Sequence, residues 1–331
     1  MDAPPVPVTH AVAHAARIAP LVRRGFATGP LAALLALALG AQIAGAQQPA
    51  APPAGGPPPE VKVTTTLLGG SVYGIDGRGG RMAALVGPDG VFLVDAQFPD
   101  VTDKIVAAIK QISPAPLRFL VNTHVHGDHT GGNENFAKLG VTILGRPELR
   151  EQQLTPRPGP NGQTPPASPA GALPIILYDN PTTIELDGDE VQLIPLPPAH
   201  TNGDTAVLFK KANVLMTGDV FRSEGMPAAA IGNGGSVLGI LKCIDLFLQL
   251  SDANTKVVPG HGPVANRDAL VFHRQVLVTV RDRVAKAKAE GKTLEQVQAM
   301  KPTAEFDAKV GGPPAFIPQF VATLYNELPA R

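Results

Sequence analysis

Strands mixed with helices in both halves of the chain predict an α/β (α+β) protein with helices packed outside two central sheets. Three observations carry that reading. Short apolar runs recur along the chain and end at Gly, Asn or Pro. Segments with apolar residues at helical spacing separate them. The C-terminal part from Asn266 onward reads as helix.

Taken in order, Val61–Thr66 alternates as a strand, and Arg81–Val86 and Val91–Val94 form a hairpin around Gly87-Pro88-Asp89-Gly90. The stretch Leu67–Tyr73 reads either as a flap over a cleft or as a strand with a bulge at Gly69-Gly70. A helix follows over Val101–Ile112, with Ile105, Ala108 and Ile109 on one face. Leu117–Val121 is a short apolar strand that stops at Asn122-Thr123. A helix begins near Asn133, Val141–Leu144 is a strand, and Pro147 opens another helix at a favoured first position. Thr155–Leu173 is rich in Pro and Gly without a period, and reads as a lid over a cleft or as a surface insertion. Strands return at Thr182–Leu186, Glu190–Ile194, Thr205–Phe209 and Val214–Thr217, followed by a helix over 236–250 and a strand at Lys256–Val258.

The first sixty residues lie outside this pattern. Arg23 and Arg24 precede the apolar core LAALLALAL (31–39) and the small-residue run Ala44-Gly45-Ala46. That is the order of a secretory signal peptide over residues 1–46, with a retained anchor as the alternative. Arg23-Arg24-Gly25-Phe26 resembles a twin-arginine signal. Residues 47–59, QQPAAPPAGGPPP, read as a disordered spacer. The globular domain is therefore expected over 60–331, in the periplasm or secreted.

Composition narrows the function. Lys and Arg total 28 against 28 Asp and Glu, so no basic stripe favours a nucleic-acid partner, and a small-molecule substrate is expected. The single cysteine, Cys243, excludes an internal disulfide and sits at helical spacing among apolar residues, as a buried structural thiol would. No Gly-x-Ser-x-Gly elbow is present to supply a serine nucleophile.

The chemistry points elsewhere. HVHGDH (124–129) follows an apolar strand directly and packs three of the chain's eight histidines into six residues. In extended backbone His124, His126 and Asp128 would project to one side, with His129 joining after the turn at Gly127. Imidazole and carboxylate are the ligands Zn²⁺ takes when thiolate is absent. His200 in PPAHTNGDT, Asp219 in TGDVF and His261 in PGHGP each follow a strand end in a Gly- or Pro-containing loop. His10 and His14 fall in the export segment and His273 inside a helix, so all five loop histidines are candidate ligands.

HVHGDH, then His200, then Asp219 in a Gly-Asp pair and His261 in PGHG, resembles the metallo-β-lactamase superfamily, over Glu60 to about Gly262. The resemblance implies a four-layer αββα sandwich with two zinc ions in a cleft between the sheets. It implies His124, His126 and His200 on one zinc, Asp128, His129 and His261 on the other, and Asp219 bridging. Asp95, at the end of VFLVD, matches an early acidic position that supports such a site. The implied reaction is attack of a metal-bridging hydroxide, formed near neutral pH, on an acyl carbon, with Asp128 orienting it or relaying a proton.

Within the superfamily, export suggests a β-lactam amide as substrate. Arg222 and Asn233 fall where β-lactamases of this fold contact the drug's carboxylate and carbonyl, or they are a solvated Arg and a turn residue. Asp219 is instead typical of the thioesterase and lactonase branches. An iron-dependent oxidoreductase on the same scaffold and a non-catalytic binding protein are the remaining alternatives.

Overall fold

The computed structural model describes residues 60–158, 162–314 and 316–329. The expected export segment (1–46) and spacer (47–59) lie outside the described residues. All described residues belong to one compact unit.

Seven strands form the first sheet in simple sequence order: β1 (Thr64–Gly69), β2 (Val72–Asp76), β3 (Met82–Gly87), β4 (Gly90–Val94), β5 (Leu117–Val121), β6 (Thr142–Gly145) and β7 (Ile176–Leu177). β1 to β4 pair antiparallel, and β4 to β7 run parallel. The parallel half needs crossovers, supplied by α1 (Thr102–Ile112) between β4 and β5 and by α2 (Gly127–Thr130) and α3 (Asn133–Lys138) between β5 and β6. α4 (Pro147–Leu154) follows β6, with Pro147 in the first turn as the sequence predicts.

The second sheet holds β8 (Thr182–Leu186), β9 (Asp189–Pro195), β10 (Thr205–Phe209), β11 (Val214–Gly218) and β12 (Lys256–Pro259), antiparallel except for the β11–β12 pair. α5 (Val237–Leu250), α6 (Arg267–Ala289), α7 (Leu294–Ala299), α8 (Ala304–Val310) and α9 (Phe316–Glu327) complete the chain.

Three apolar layers hold these elements together. Phe92, Val121, Val207, Phe209 and Met216 are buried between the two sheets. Ile105 and Ile109 of α1 and Phe136 of α3 bury against the outer face of the first sheet, over Ile75, Leu93 and Leu120. Ile240, Cys243 and Phe247 of α5, with Val276 and Val280 of α6, cover the outer face of the second, over Leu208 and Leu215. The result is the αββα sandwich, made because each sheet has two apolar faces to remove from water.

Several local features differ from the sequence expectation. β2 and the two-residue β7 were not foreseen, and β1 starts three residues later than Val61. The Leu67–Tyr73 stretch is a hairpin whose register shifts between Leu67 and Gly69, so it is the bulged strand and not a flap. Its turn abuts Ala212, whose carbonyl lies 2.5 Å from where a Cβ on Gly69 would stand. Ala212 precedes β11, whereas the site lies past the other end of that strand. His124–Asp128 is not extended throughout. His126 is extended (φ −63°, ψ 148°), but Gly127–Thr130 coils into α2, because the His126 carbonyl accepts from the amides of His129 and Thr130. Asp128 therefore reaches the site from a helical turn and not by strand alternation.

Candidate metal centre

The site gathers at one end of the sandwich, where β4, β5, β9, β11 and β12 stop. Asp95 follows β4, the HVHGDH segment follows β5, His200 follows β9, Asp219 follows β11 and His261 follows β12. Strand ends are where the backbone can leave the ladder and turn short side chains inward.

Three ligand groups form from the seven residues. His124, His126 and His200 make one, His124, His129 and Asp219 a second, and Asp128, His129 and His261 a third, with the offered atoms of each group within 4.8 Å of one another. The structure thus brings together every metal-ligand candidate of the sequence. His126 Nδ1 stands 3.1 Å from His124 Nε2 and 2.9 Å from His200 Nε2. Asp219 Oδ2 lies 3.7 Å from His200 Nε2 and 3.4 Å from His261 Nε2, while its Oδ1 lies 3.4 Å from His129 Nε2. Asp128 Oδ2 is 3.0 Å from His261 Nε2. Asp219 is the residue common to both ends of the cluster.

The outer nitrogens of three of these rings, His124, His129 and His200, are spoken for, which orients them. Asp95, buried at 1 % exposure, accepts from Thr123 N (2.7 Å), Thr123 Oγ1 (2.8 Å) and His129 Nδ1 (2.8 Å). Having donated its proton to Asp95, the Thr123 hydroxyl accepts from His124 Nδ1 at 3.0 Å. His200 Nδ1 donates to the Ala228 carbonyl. His124 and His200 thereby turn a lone pair on Nε2 into the site, and His129 is held with its Nε2 facing the same way. Asn122 braces the segment from beneath, donating to the His129 carbonyl (3.1 Å) and exchanging amide bonds with Asn133.

Electrostatics agree with this arrangement. Burial, with the charges of neighbouring histidines, holds His124 well below the ordinary imidazole pKa. His126 is pulled down to about 4 by burial and by His200, and burial lowers His200 as well. These three rings are neutral at pH 7, the form that binds a metal. Burial would neutralise His129 too, but the carboxylates of Asp95 and Asp219 raise it well above its ordinary value. Burial works against ionising Asp219 and Asp128, yet the adjacent imidazoles keep both below the usual carboxylate range.

Bound metal fits these residues. His129 Nε2 and Asp219 Oδ1 are sealed from solvent, face each other, and have no hydrogen-bond partner. Asp95, Asp128 and Asp219 form ion pairs only with histidines, so among the described residues no Lys or Arg balances these anions. Buried anions left uncompensated are costly, and cations bound at the inward nitrogens and carboxylate oxygens would supply the balance.

Glycine supplies the room. A Cβ on Gly80 would fall 2.1 Å from His129 Cε1, and one on Gly260 would fall 2.2 Å from Asp219 Oδ1. The Gly77–Arg81 loop is tied over the cluster, with Gly80 N donating to the Asp128 carbonyl (3.0 Å) and Arg81 N to the Gly260 carbonyl (2.7 Å). Arg81 also reaches the Gly262 carbonyl at 2.8 Å, joining this loop to the one that carries His261. The sequence reading gave no role to either glycine or to Arg81; for Gly80 and Arg81 the signal was the GRGGR run between two strands, and Gly260 stood in the PGHGP already noted for His261.

The remaining candidates divide. Arg222 lies close enough to His200 for its charge to help keep that ring neutral, and its guanidinium has no hydrogen-bond or ion-pair partner among the described residues. Asn233 ends a single 3-10 turn, and its side-chain amide donates to Gln152 Oε1 at 2.6 Å. Its carbonyl accepts from Asn202 N at 3.0 Å. These bonds favour the turn-residue alternative. The 155–173 stretch is fastened at both ends, by Arg157 to the Gly232 carbonyl (3.1 Å) and by Asn133 to the Ala172 carbonyl (3.0 Å). Cys243 is buried in α5 with its thiol pKa pushed up by burial, a structural role.

The metallo-beta-lactamase superfamily profile matches residues 76–261, more than half of the chain, and the chain belongs to that superfamily. Members of this superfamily are generally metallo-hydrolases. The chain is 30 % identical over 141 residues to the uncharacterized protein YobT of Bacillus subtilis, covering 41 % of this chain and 59 % of that one. It is 28 % identical over 170 residues to a hydroxyacylglutathione hydrolase of Rhodospirillum rubrum, covering 49 % and 55 % of the two chains. It thus spans a little over half the length of these relatives. A metallo-beta-lactamase from Pontibacter korlensis superposes with a TM-score of 0.53 at 19 % identity, over 65 % of this chain and 99 % of that one, a likeness of fold.

Proposed function

We propose that this chain is an exported, zinc-dependent hydrolase that binds two zinc ions and cleaves an acyl bond in a small molecule. One observation carries the reading: two separate donor sets, His124/His126/His200 and Asp128/His129/His261, flank the single carboxylate of Asp219. Bound zinc supplies Lewis acidity toward the acyl oxygen and lowers the pKa of a bound water to about 7.

The chain's own groups supply the rest. Asp128 is ionised, one-quarter exposed, and held by His261 at Oδ2, so its carboxylate can take the proton of an attacking water and pass it to the leaving group. The buried Asp95–Thr123 pair fixes the outer hydrogen bonds of His124 and His129 and so aims their Nε2 atoms into the site. Arg222, beside His200 and without a hydrogen-bond or ion-pair partner among the described residues, is suited to a substrate carboxylate. No serine or cysteine nucleophile is involved.

Two substrate readings stand within this class. A β-lactam amide accords with export by the N-terminal segment, to the periplasm or beyond, and with Arg222. A thioester or lactone accords with the aspartate at position 219 and with the similarity to a hydroxyacylglutathione hydrolase. The test is a panel of nitrocefin, an acyl-homoserine lactone and a hydroxyacyl thioester, assayed with zinc-loaded protein. Turnover of nitrocefin alone supports the lactam, and turnover of the thioester or lactone alone supports the second reading. Turnover of none, with two zinc ions bound, removes the acyl-hydrolase assignment.

A further inference from the structure

The helices after β12 lie beyond the segment that the superfamily profile matches, yet two hydrogen-bonded contacts tie them to the frame of the site. Gly225 N, three residues from Arg222, donates to the Val310 carbonyl at the end of α8 (2.9 Å). The second contact is more extensive. Glu327, the last residue of α9, receives the Ser236 hydroxyl (3.0 Å) and the amides of Val237 (2.8 Å) and Leu238 (2.9 Å) at the start of α5. A carboxylate at the end of its own helix sits at the unfavourable pole of that helix, whereas at the start of α5 it is at the favourable one. Its position answers to α5 and not to α9.

α5 in turn holds the loop that presents His200. A Cβ on Gly239, in its first turn, would fall 1.7 Å from the Pro198 carbonyl, so helix and loop are in direct backbone contact. Ser236 N donates to the Ala199 carbonyl (2.7 Å), and Ala230 N donates to the His200 carbonyl (2.8 Å). Ser236 Oγ, while bonded to Glu327, also accepts from Gly239 N (2.9 Å). The ring of His200 is oriented by Ala228, in the separate segment that leads from β11 into α5. Backbone and imidazole of His200 thus both depend on a segment whose far end is clamped by Glu327.

We propose that Glu327 is a positioning residue for His200, through which the C-terminal helices set the geometry of the three-histidine group. The inference rests on the proposed metal reading for what His200 does, but not for what holds it.

The experiment uses the full chain as wild type, Glu327→Ala, Glu327→Gln, and Thr293→Ala as a control. Thr293 caps α7 with a capping box of its own, so its loss weakens the same helical region without touching α5. In metal-free protein, amide hydrogen exchange at Ser236 and Ala230 should accelerate roughly 2- to 30-fold in Glu327→Ala, the range for losing a helix cap. Thr293→Ala should leave these two amides unchanged, and Glu327→Gln, which keeps an acceptor oxygen, should fall between. In cobalt titrations, Glu327→Ala should weaken one of two sites about 10-fold and alter its ligand-field bands, leaving the other site unchanged. Wild-type exchange at Ser236 and Ala230 in Glu327→Ala, or equal acceleration in Thr293→Ala, overturns the proposal. If wild type binds no metal, the functional reading falls, and the exchange data still decide the positioning role. If Glu327→Ala does not fold, Glu327→Gln is judged by the same two amides.

Discussion

Replacing Asp95 with Asn changes one atom and should disable two ligands at once. Asp95 Oδ1 accepts from Thr123 N, while Oδ2 accepts both the Thr123 hydroxyl and His129 Nδ1. With the Asn oxygen kept on Thr123 N, the new NH₂ group faces Thr123 Oγ1 and His129 Nδ1, and must donate to both. His129 is then driven to carry its proton on Nε2, the atom that faces Asp219. The displaced Thr123 proton turns toward His124 Nδ1, which forces that ring's remaining proton onto Nε2 as well. Backbone strain does not confuse the result, because Asp95 has φ +66° and Asn tolerates that region equally well. Loss of such an outer partner costs about 10- to 100-fold in metal affinity, or about 1.4 to 2.7 kcal/mol. With two rings affected, the upper end is expected. The assay is zinc competition against a chromophoric chelator, with circular dichroism to establish that the variant folds. A folded Asp95→Asn protein binding two zinc ions at wild-type affinity would refute the tautomer argument.

Other perturbations test separate parts of the account. Gly80→Ala places a methyl group 2.1 Å from His129 Cε1, so it should cost about 1–3 kcal/mol of overpacking and at least one equivalent of bound zinc, measured by metal analysis. Arg222→Ala should raise KM about 10-fold for a carboxylate-bearing substrate with kcat unchanged, because the contact is made equally in ground and transition states; steady-state kinetics check this. Removing both zinc ions with a chelator should lower Tm by roughly 10–20 °C if the free metal had stood at about 100 times each dissociation constant, read by differential scanning fluorimetry. His273 gives a pH test at a residue outside the ligand set: burial alone lowers its pKa from 6.5 to about 4, and its ring packs edge-on to Phe221 with centroids 4.9 Å apart. The folded state therefore binds this proton less readily than the unfolded chain. The contribution is complete above pH 6.5 and disappears as pH falls toward 4, amounting to about 3 kcal/mol. His273→Phe should flatten the acid limb of a stability–pH curve by that order, and an unchanged limb would count against it.

The ligands were legible in the sequence because each is a chemically loud residue just past an apolar run. HVHGDH concentrates them, and His200, Asp219 and His261 repeat the same strand-then-loop context. What the pattern could not convey was backbone path. Alternation placed Asp128 beside His126 as in a strand, but hydrogen bonds back to the His126 carbonyl coil the chain there. Gly80 and Gly260 were invisible for the opposite reason: they act by having no side chain, and only a third element brought against them reveals that a Cβ would collide. β7 pairs through only two residues, too short for a period, and its apolar side chains are exposed. The resemblance offered Asn233 as a substrate contact or a turn residue, and its amide is held by Gln152, 81 residues away, a pairing set by tertiary structure. Glu327 meets Ser236 across 91 residues for the same reason.

The account turns on two metal sites built from scattered side chains and joined at Asp219. Titrating metal-free protein with zinc, with stoichiometry followed calorimetrically, addresses this most directly. Two equivalents per chain are predicted for wild type, with both sites weakened together in Asp219→Ala. Binding of one equivalent or none by a folded wild-type protein, or an Asp219→Ala variant that still takes up two with unaltered affinity, would contradict it.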